Sequence, residues 1–366
     1  MRVEREIAAF AFPFAAGVFA AVILGASPCN IRPTYPTIAL TSVIMSAVLL
    51  MHPSRHRWDG RAQWVIVGLC AAACGIFIGL SGLETSVSEM TPDGPLCRWA
   101  QIAGNGLKSV IEQIPFENSS TNGVIKALLT GDRTGIPHDT AKAFRDSGAS
   151  HILALSGLHL GIIYALISKA LASFGNSHPM RQARSILTIM ACGLYTLGTG
   201  AGASITRAFI FITVNETARM MGRHTCLKSI LATSLILHLA LSPTSATEVG
   251  FQLSYAAILG IAFIYPHLKN IWKNDWRGLK WIWQSAALSI SCQLTTGPLA
   301  YHYFGIFPQH FLLTNLLAIP LAGIIIPAAL LTAALSSTGC CPQIMMKLTE
   351  MLTRTMTGIL STIASM

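Results

Sequence analysis

Charge is what this sequence has least of. Only 11% of its 366 residues are Asp, Glu, Lys or Arg, where an average soluble chain carries about 25%. With a mean hydropathy of +0.56, too few polar side chains are left to coat a soluble core. Catalytic signatures are missing as well. No GxxxxGK[ST] loop occurs, so the chain cannot draw work from a nucleotide by itself. Neither CxxC nor HExxH is present, and no metal or other cofactor is expected. Tandem repeats and low-complexity stretches are also lacking.

What the sequence has instead is long apolar runs. A membrane span needs roughly 20 residues at the helical rise. Ile7–Gly25, Pro36–Met51, Trp64–Gly82, Ile152–Phe174, Ile186–Gly200, Leu227–Leu241, Val249–Tyr265, Trp281–Leu299 and Phe311–Leu335 reach or approach that length. A weaker tenth run, Ala203–Met220, carries Arg207, Asn215 and Glu216. The fold class expected is all-α, a polytopic helical membrane protein of about ten transmembrane helices with short external amphipathic helices.

Basic residues orient it. Arg55, Arg57, Arg61, Arg181, Arg184, Arg219, Arg223, Lys228, Lys269, Lys273, Arg277 and Lys280 all fall on one side if Ala203–Met220 crosses. The positive-inside rule makes that side cytoplasmic, with the N-terminus inside. The net charge of +10 is thereby accounted for by membrane insertion and is no argument for nucleic acid. The first run lacks a small-residue cleavage site and reads as a retained anchor. Cys70, Cys74, Cys192, Cys226 and Cys292 lie in apolar surroundings and read as packing. Cys29 and Cys97 fall in external loops and are the pair a disulfide could join.

The expected segments are an N-terminal membrane part (1–83), an external linker (84–120), a membrane core (121–335) and an amphipathic tail or eleventh span (336–366). In the linker, Trp99, Ile102, Ala103, Leu107, Val110, Ile111 and Ile114 recur at helical spacing, which predicts a helix lying on the membrane surface. A short helix broken at Gly131 and another running from Pro137 to Arg145 should pack externally on the bundle entrance.

Residues 151–161, HILALSGLHLG, set polar groups into an apolar run. Polar groups at membrane depth usually face a protein interior or a water-filled path. On a continuous helix His151, Leu155 and His159 form one i, i+4, i+8 row, and Gly157 and Gly161 permit close approach of a neighbour. The row reads either as a polar pore lining or as an interhelical hydrogen-bond clamp.

The string LLTGDRTGIPHDTAKAFRDSGASHILALSGLHLG (128–161) resembles the signature of the ComEC competence-protein family of bacterial DNA uptake. GASITRAFIF (202–211), MGRHTCLKSILATSLILHLALSP (221–243), GFQLSYAAILGI (250–261) and QLTTGPLAYHYFGIFPQHFLLTNLLAIPL (293–321) continue the resemblance in order. It implies an inner-membrane channel passing single-stranded DNA into the cytoplasm during natural transformation. Fuller members of that family carry an external OB-type module and a metallo-β-lactamase-like domain. Residues 84–120 are too few for a five-stranded barrel, and no histidine-rich metal motif occurs, so a channel core without a nuclease is expected. Partners implied by the resemblance are an external DNA receptor, a nuclease and a cytoplasmic single-strand-binding or helicase-like protein, besides membrane lipid and a second copy of the chain in a homo-oligomer.

A path for a polyanion needs fixed cations or donors, and surfaces on which bases slide. Arg207, near the outer end of its run, is the candidate cation or else an interfacial anchor. Arg133 and Arg145 would gather phosphate at the external mouth, or pair with Asp132, Asp139 or Asp146. Gln252, Ser254, Gln293 and Asn315 are further path candidates, and Pro298 and Pro320 mark kinks. Tyr301, Tyr303, Phe304 and Phe307 read as an interfacial aromatic belt or as stacking platforms.

Two other classes stay open, a small-solute or ion transporter on the same core and an intramembrane hydrolase using Ser156 and His159. The second requires the serine within hydrogen-bond reach of its base, which two residues three apart on one helix are not expected to meet. No enzymatic activity is expected.

Overall fold

The computed structural model describes residues 2–24, scattered positions between 68 and 78, and 95–366 apart from 174–176, 223–225, 273–275, 306–308 and 340. The proposed Cys29–Cys97 pair and the run 36–51 lie outside the described residues. Among the described residues the chain is all helical, in two compact units: 1–91 with 213–255, and 92–212 with 256–366.

In chain order the helices are α1 (Arg2–Leu24), α2 (Pro95–Gln113), α3 (Ser119–Thr130), α4 (His138–Asp146), α5 (Ser150–Leu153), α6 (Gly157–Ala172), α7 (His178–Gly198), α8 (Ala203–Met220) and α9 (Leu227–Leu241). A 3-10 turn (Pro243–Thr247) leads to α10 (Val249–Leu259), a π segment (Gly260–Ile264) and α11 (Tyr265–Leu268). Then follow α12 (Arg277–Phe304), α13 (Phe311–Ser337) and α14 (Gln343–Ala364). Among the described residues two stretches are long and apolar enough to cross a membrane, Val249–Leu268 and Phe311–Ser337, and Phe10–Val22, Gly157–Ala172 and Leu227–Leu241 are shorter apolar helices.

In the first unit α1 packs on α9 and on the 3-10 turn. Gly17 and Gly75 permit a close backbone crossing: a β-carbon on Gly17 would fall on the Ala72 carbonyl, and one on Gly75 on the Phe14 carbonyl. Small residues at such crossings are how helices approach where the solvent is itself apolar. Phe251, His238 and Tyr255 form an aromatic cluster, with the Phe251 and Tyr255 rings tilted at 42° and their centroids 4.5 Å apart. The Tyr255 hydroxyl donates to the Ser234 carbonyl at 3.1 Å.

In the second unit α3 is the spine. Its residues 123–130 are all buried, because it is apolar all round and is covered on two faces. Val124, Ala127 and Leu128 meet Ala318, Ala322 and Ile325 of α13 with Met356 and Leu360 of α14. Ile125 and Leu129 meet Ile326, Ala329 and Ala333 of α13 with Ile111 and Ile114. Of the two short helices expected to lie externally, α4 is buried only at Ala143 and Phe144, but α3 is not external. It is core, since twelve residues suffice to bury two apolar faces even though they cannot span. The C-terminal segment is an amphipathic helix packed on α3, α4 and α13. Buried Glu350 of α14 accepts from the Glu117 and Asn118 N–H groups at 3.0 and 2.9 Å, satisfying donors at the start of α3.

The expected surface helix is α2, which divides along its length. Trp99 and Ile102 point outward, whereas Ile111 is fully buried. Gly104 of α2 crosses Gly198 of α7 so closely that a β-carbon on Gly104 would strike the Gly198 carbonyl. Large apolar side chains remain exposed along α7, α12 and α13, among them Leu187, Met190, Leu194, Leu294, Ile324 and Leu331. Apolar surface of that extent marks a lipid or partner face.

Candidate functional site: a charged loop over a broken helix

Residues 128–161 turn three times within the second unit, each time at a residue that stops a helix. Gly131 takes φ 74° and caps α3, donating to the Ala127 carbonyl at 2.9 Å, a conformation that glycine adopts without strain. Pro137 starts α4, and Gly148, at φ 82°, follows its end. Both stops agree with the sequence reading.

Between them, the loop 131–135 is held by matched polar groups. The Thr134 hydroxyl donates to Asp132 Oδ1 at 2.6 Å and the Thr134 N–H at 3.0 Å. Lys108 Nζ lies 3.2 Å from Asp132 Oδ2. Those hydrogen bonds first, and the Lys108 ammonium after them, hold the Asp132 carboxyl at about 2, below the usual carboxylate range. Lys126, buried on α3, reaches Glu112 at 2.8 Å and the Thr134 hydroxyl at 2.9 Å. Asp132 thus pairs with a lysine and not with an arginine. Arg145 lies 3.5 Å from Asp146, while Arg133 is exposed with no ion pair among the described residues.

The third turn departs from expectation. The helix expected from Ile152 onward is interrupted: α5 ends at Leu153, Ala154 is extended (φ −78°, ψ 130°), and α6 begins only at Gly157. His151, Leu155 and His159 therefore do not form one helical row. His151 sits on α5, exposed, with Nδ1 3.1 Å from the Gly148 carbonyl. Ser156 is the N-cap of α6, and His159 occupies the third helical position and reaches back. The Ser156 N–H donates to His159 Nδ1 at 3.2 Å, and the serine hydroxyl is 3.0 Å from the same nitrogen. Serine and histidine do come within hydrogen-bond reach, contrary to the expectation for two residues on one helix. They meet because the serine lies outside the helix, in a capping box with histidine in the usual place of Glu or Gln.

That geometry also fixes the imidazole. With Nδ1 accepting from a backbone N–H, the neutral ring carries its hydrogen on Nε2. His159 is fully buried, and the only group facing its free ring nitrogen among the described residues is the Ile152 backbone. A nucleophilic triad would place a carboxylate on that nitrogen, and a backbone group stands there instead.

Three elements converge on the break. Leu155 packs beneath Gly131, where a β-carbon would lie 3.1 Å from Leu155 Cβ, and Gly157 meets Ala208 of α8 at 3.4 Å. Ala208 adjoins Arg207, which is buried with 4% of its surface exposed, so it does not snorkel to the interface. Gly161 faces open space; it is not the close contact its spacing suggested. Tyr195 of α7 donates its hydroxyl to the Leu129 carbonyl, and α6, α7 and α8 share the core of Leu160, Cys192 and Ile205.

The remaining candidates are dispersed. Asn315 follows Thr314, which donates to the Ser147 carbonyl at 2.7 Å, and Asn315 Oδ1 is buried without a partner. Gln293 lines an apolar groove of about 450 Å³ with Ile290, Leu294, Pro298 and Tyr301. Pro298 and Pro320 lie inside continuous helices and do not end them. Gln252 and Ser254 belong to the first unit, where Gln252 donates to the Ala246 carbonyl at 3.0 Å. Sequence reasoning missed the π segment at Gly260, where a β-carbon would strike the Ser291 carbonyl of α12; π turns collect at functional sites. It also missed Glu350, whose partners lie more than 230 residues away.

Comparison with known proteins follows the same segment. The family described as "Competence protein" matches residues 128–366. ComE operon protein 3 of Bacillus subtilis (strain 168) is 27% identical over 211 residues, covering 57% of this chain and 26% of that protein. The uncharacterized protein YcaI of Escherichia coli (strain K12) is 25% identical over 234 residues, covering 62% of this chain and 30% of the relative. The chain thus spans between a quarter and a third of the length of these relatives. No solved structure matches.

Proposed function

We propose, from the premise that this chain belongs to the competence protein family, that it is the membrane-embedded part of a DNA-uptake conduit. It passes single-stranded DNA to the cytoplasm through a multi-pass helical bundle in the inner membrane, with about ten crossings and the N-terminus inside. The chain itself is not an enzyme. An external receptor, a nuclease and a cytoplasmic single-strand-binding or helicase-like protein supply capture, strand removal and pull.

The observation that carries the reading is the break at Ala154–Ser156. It sets irregular backbone, a buried imidazole whose Nε2 side meets only the Ile152 backbone, and the buried Arg207 of α8 beneath a loop carrying the exposed Arg133. Irregular backbone in an apolar bundle is tolerated where it is buried in protein or lines a path. Broken helices are how transporters line theirs. The break is closed here, since His159 is fully buried, so passage requires α5 and α6 to part at the extended Ala154.

The hydrogen-bonded Ser156 and His159 favour one competing reading, an intramembrane hydrolase. Ser156→Ala separates the two. A conduit with a capping serine keeps partial DNA entry, because the cap is worth about 1 kcal/mol; a hydrolase loses its activity outright. The test is entry of labelled linear DNA into a nuclease-protected pool at matched membrane abundance. Complete loss of entry with a normally folded Ser156→Ala protein contradicts the conduit reading of this pair.

A further inference from the structure

A second polar feature of the same unit lies away from the break. Helices α3, α4 and α14 enclose a cleft of about 340 Å³, lined by Asn118, Thr121, Asp139, Thr140, Arg354 and Thr357 among others. Most of its hydroxyls are spent locally. Thr353 donates to the Thr349 carbonyl at 2.8 Å, Thr357 to Arg354 at 3.0 Å, Ser361 to Gly358 at 2.8 Å and Ser120 to Asn118 Oδ1 at 2.8 Å.

Three donors are not spent. Thr121 is 2% exposed, yet its Oγ1 has no hydrogen-bond partner. A buried hydroxyl left so is costly, about 1–3 kcal/mol, which is a reason to look for its acceptor among ligands. Arg354 on α14 is exposed and makes no ion pair among the described residues. Helix α4, nine residues long, opens at Pro137, which offers no side-chain acceptor for the first-turn N–H groups, and Asp139 and Thr140 of that turn line the cleft. An uncapped helix N-terminus attracts anions. Glu350, one turn before Arg354, is already committed to the start of α3. The Asp139 carboxylate is the one opposing charge in the cleft; it is fully exposed, where water and salt screen it.

We infer that this cleft is a phosphodiester-binding subsite: Arg354 supplies the charge, and the Thr121 hydroxyl and the first turn of α4 supply neutral donors to one backbone phosphate of the incoming strand. The inference rests on the conduit reading for the source of the phosphate. It gives α14 a role that its sequence, an amphipathic C-terminal helix, does not announce. A single phosphate held by one arginine and by dipoles carries no base information, as a sequence-independent conduit requires.

The test uses the full chain in phosphatidylcholine nanodiscs, with a fluorescein-labelled oligodeoxythymidylate read by anisotropy across a salt series. Arg354→Gln should weaken binding about fivefold or more and make the log–log salt slope shallower by about 0.7, one single-strand phosphate contact. Thr121→Val, nearly isosteric, should weaken binding about threefold and leave the slope unchanged. Lys347→Gln, an exposed charge on the same helix outside the cleft, should stay within about twofold of the parent. If Arg354→Gln and Lys347→Gln behave alike, the subsite is wrong while the conduit reading stands. If the parent chain binds no oligonucleotide, the conduit reading falls and the subsite with it. If Arg354→Gln keeps oligonucleotide affinity but loses affinity for phosphatidylglycerol added to the nanodiscs, the cleft belongs to a lipid headgroup and the proposal is overturned.

Discussion

The loop at 131–135 and the helix break at 154–156 are both short and are in contact through Gly131 and Leu155, yet their hydrogen-bond accounts differ. In the loop, Asp132, Thr134, Lys108 and Lys126 satisfy one another. At the break, Ser156 and the Nδ1 side of His159 satisfy each other, and the Nε2 side meets only the Ile152 backbone. A fully matched polar cluster is a fold determinant, because removing one member strands the others. A buried donor held only by a backbone group is a weaker commitment to the fold than a matched cluster. On the proposed conduit reading the loop is scaffold and the break is the part that moves.

Substitutions can break or sharpen that contrast, and their expected effects on stability fall in order. Lys126→Met removes the partner of Glu112 and Thr134, both exposed to water, and should cost about 1 kcal/mol in thermal unfolding of the detergent-solubilised protein. Its DNA entry per folded molecule should be unchanged. His159→Gln keeps an acceptor for the Ser156 N–H, in the usual capping-box form, and should cost less than about 1 kcal/mol. DNA entry should nevertheless fall about tenfold. If instead stability falls and entry per folded molecule holds, the imidazole is a clamp and the contrast collapses.

Asp132→Asn tests the loop by pH. The folded carboxyl is held at about 2, below its unfolded value of about 3.9. It therefore adds stability that is fully present above about pH 4 and is lost as pH falls toward 2. In a urea series between pH 5 and 2.5 the Asn variant should lose less stability on acidification than the parent; equal losses would show that the carboxylate is not a loop determinant. The smallest effect belongs to Gly161→Ala. With open space at that position, it should be neutral or stabilising by up to about 1 kcal/mol through helix propensity, with uptake unaffected.

Much of the helical frame was legible. The runs 227–241 and 311–335 are helices, as their length and apolar sequence predict, and the more polar run 203–220 is one as well. Gly131 and Pro137 announce turns through residue chemistry that any reader of a sequence can use. The break at Ala154 was hidden because Ala and Leu are good helix formers and neither Gly nor Pro precedes it. The available signal was Ser156 followed three residues later by His159, a capping box disguised by its imidazole. Burial of α3 was hidden for another reason. Its length excluded a span, and nothing local says that α13 and α14, some 200 residues away, close over it. The contacts of Glu350 and the cleft beside Arg354 are likewise products of the tertiary fold alone.

The most direct measurement is the entry of labelled linear DNA into a nuclease-protected cytoplasmic pool, compared between cells with the intact gene and cells in which it is deleted. The account predicts that the protected pool vanishes on deletion while DNA binding at the cell surface is unchanged, and that Arg207→Ala at matched abundance reproduces most of the loss. A protected pool that survives deletion contradicts the conduit outright.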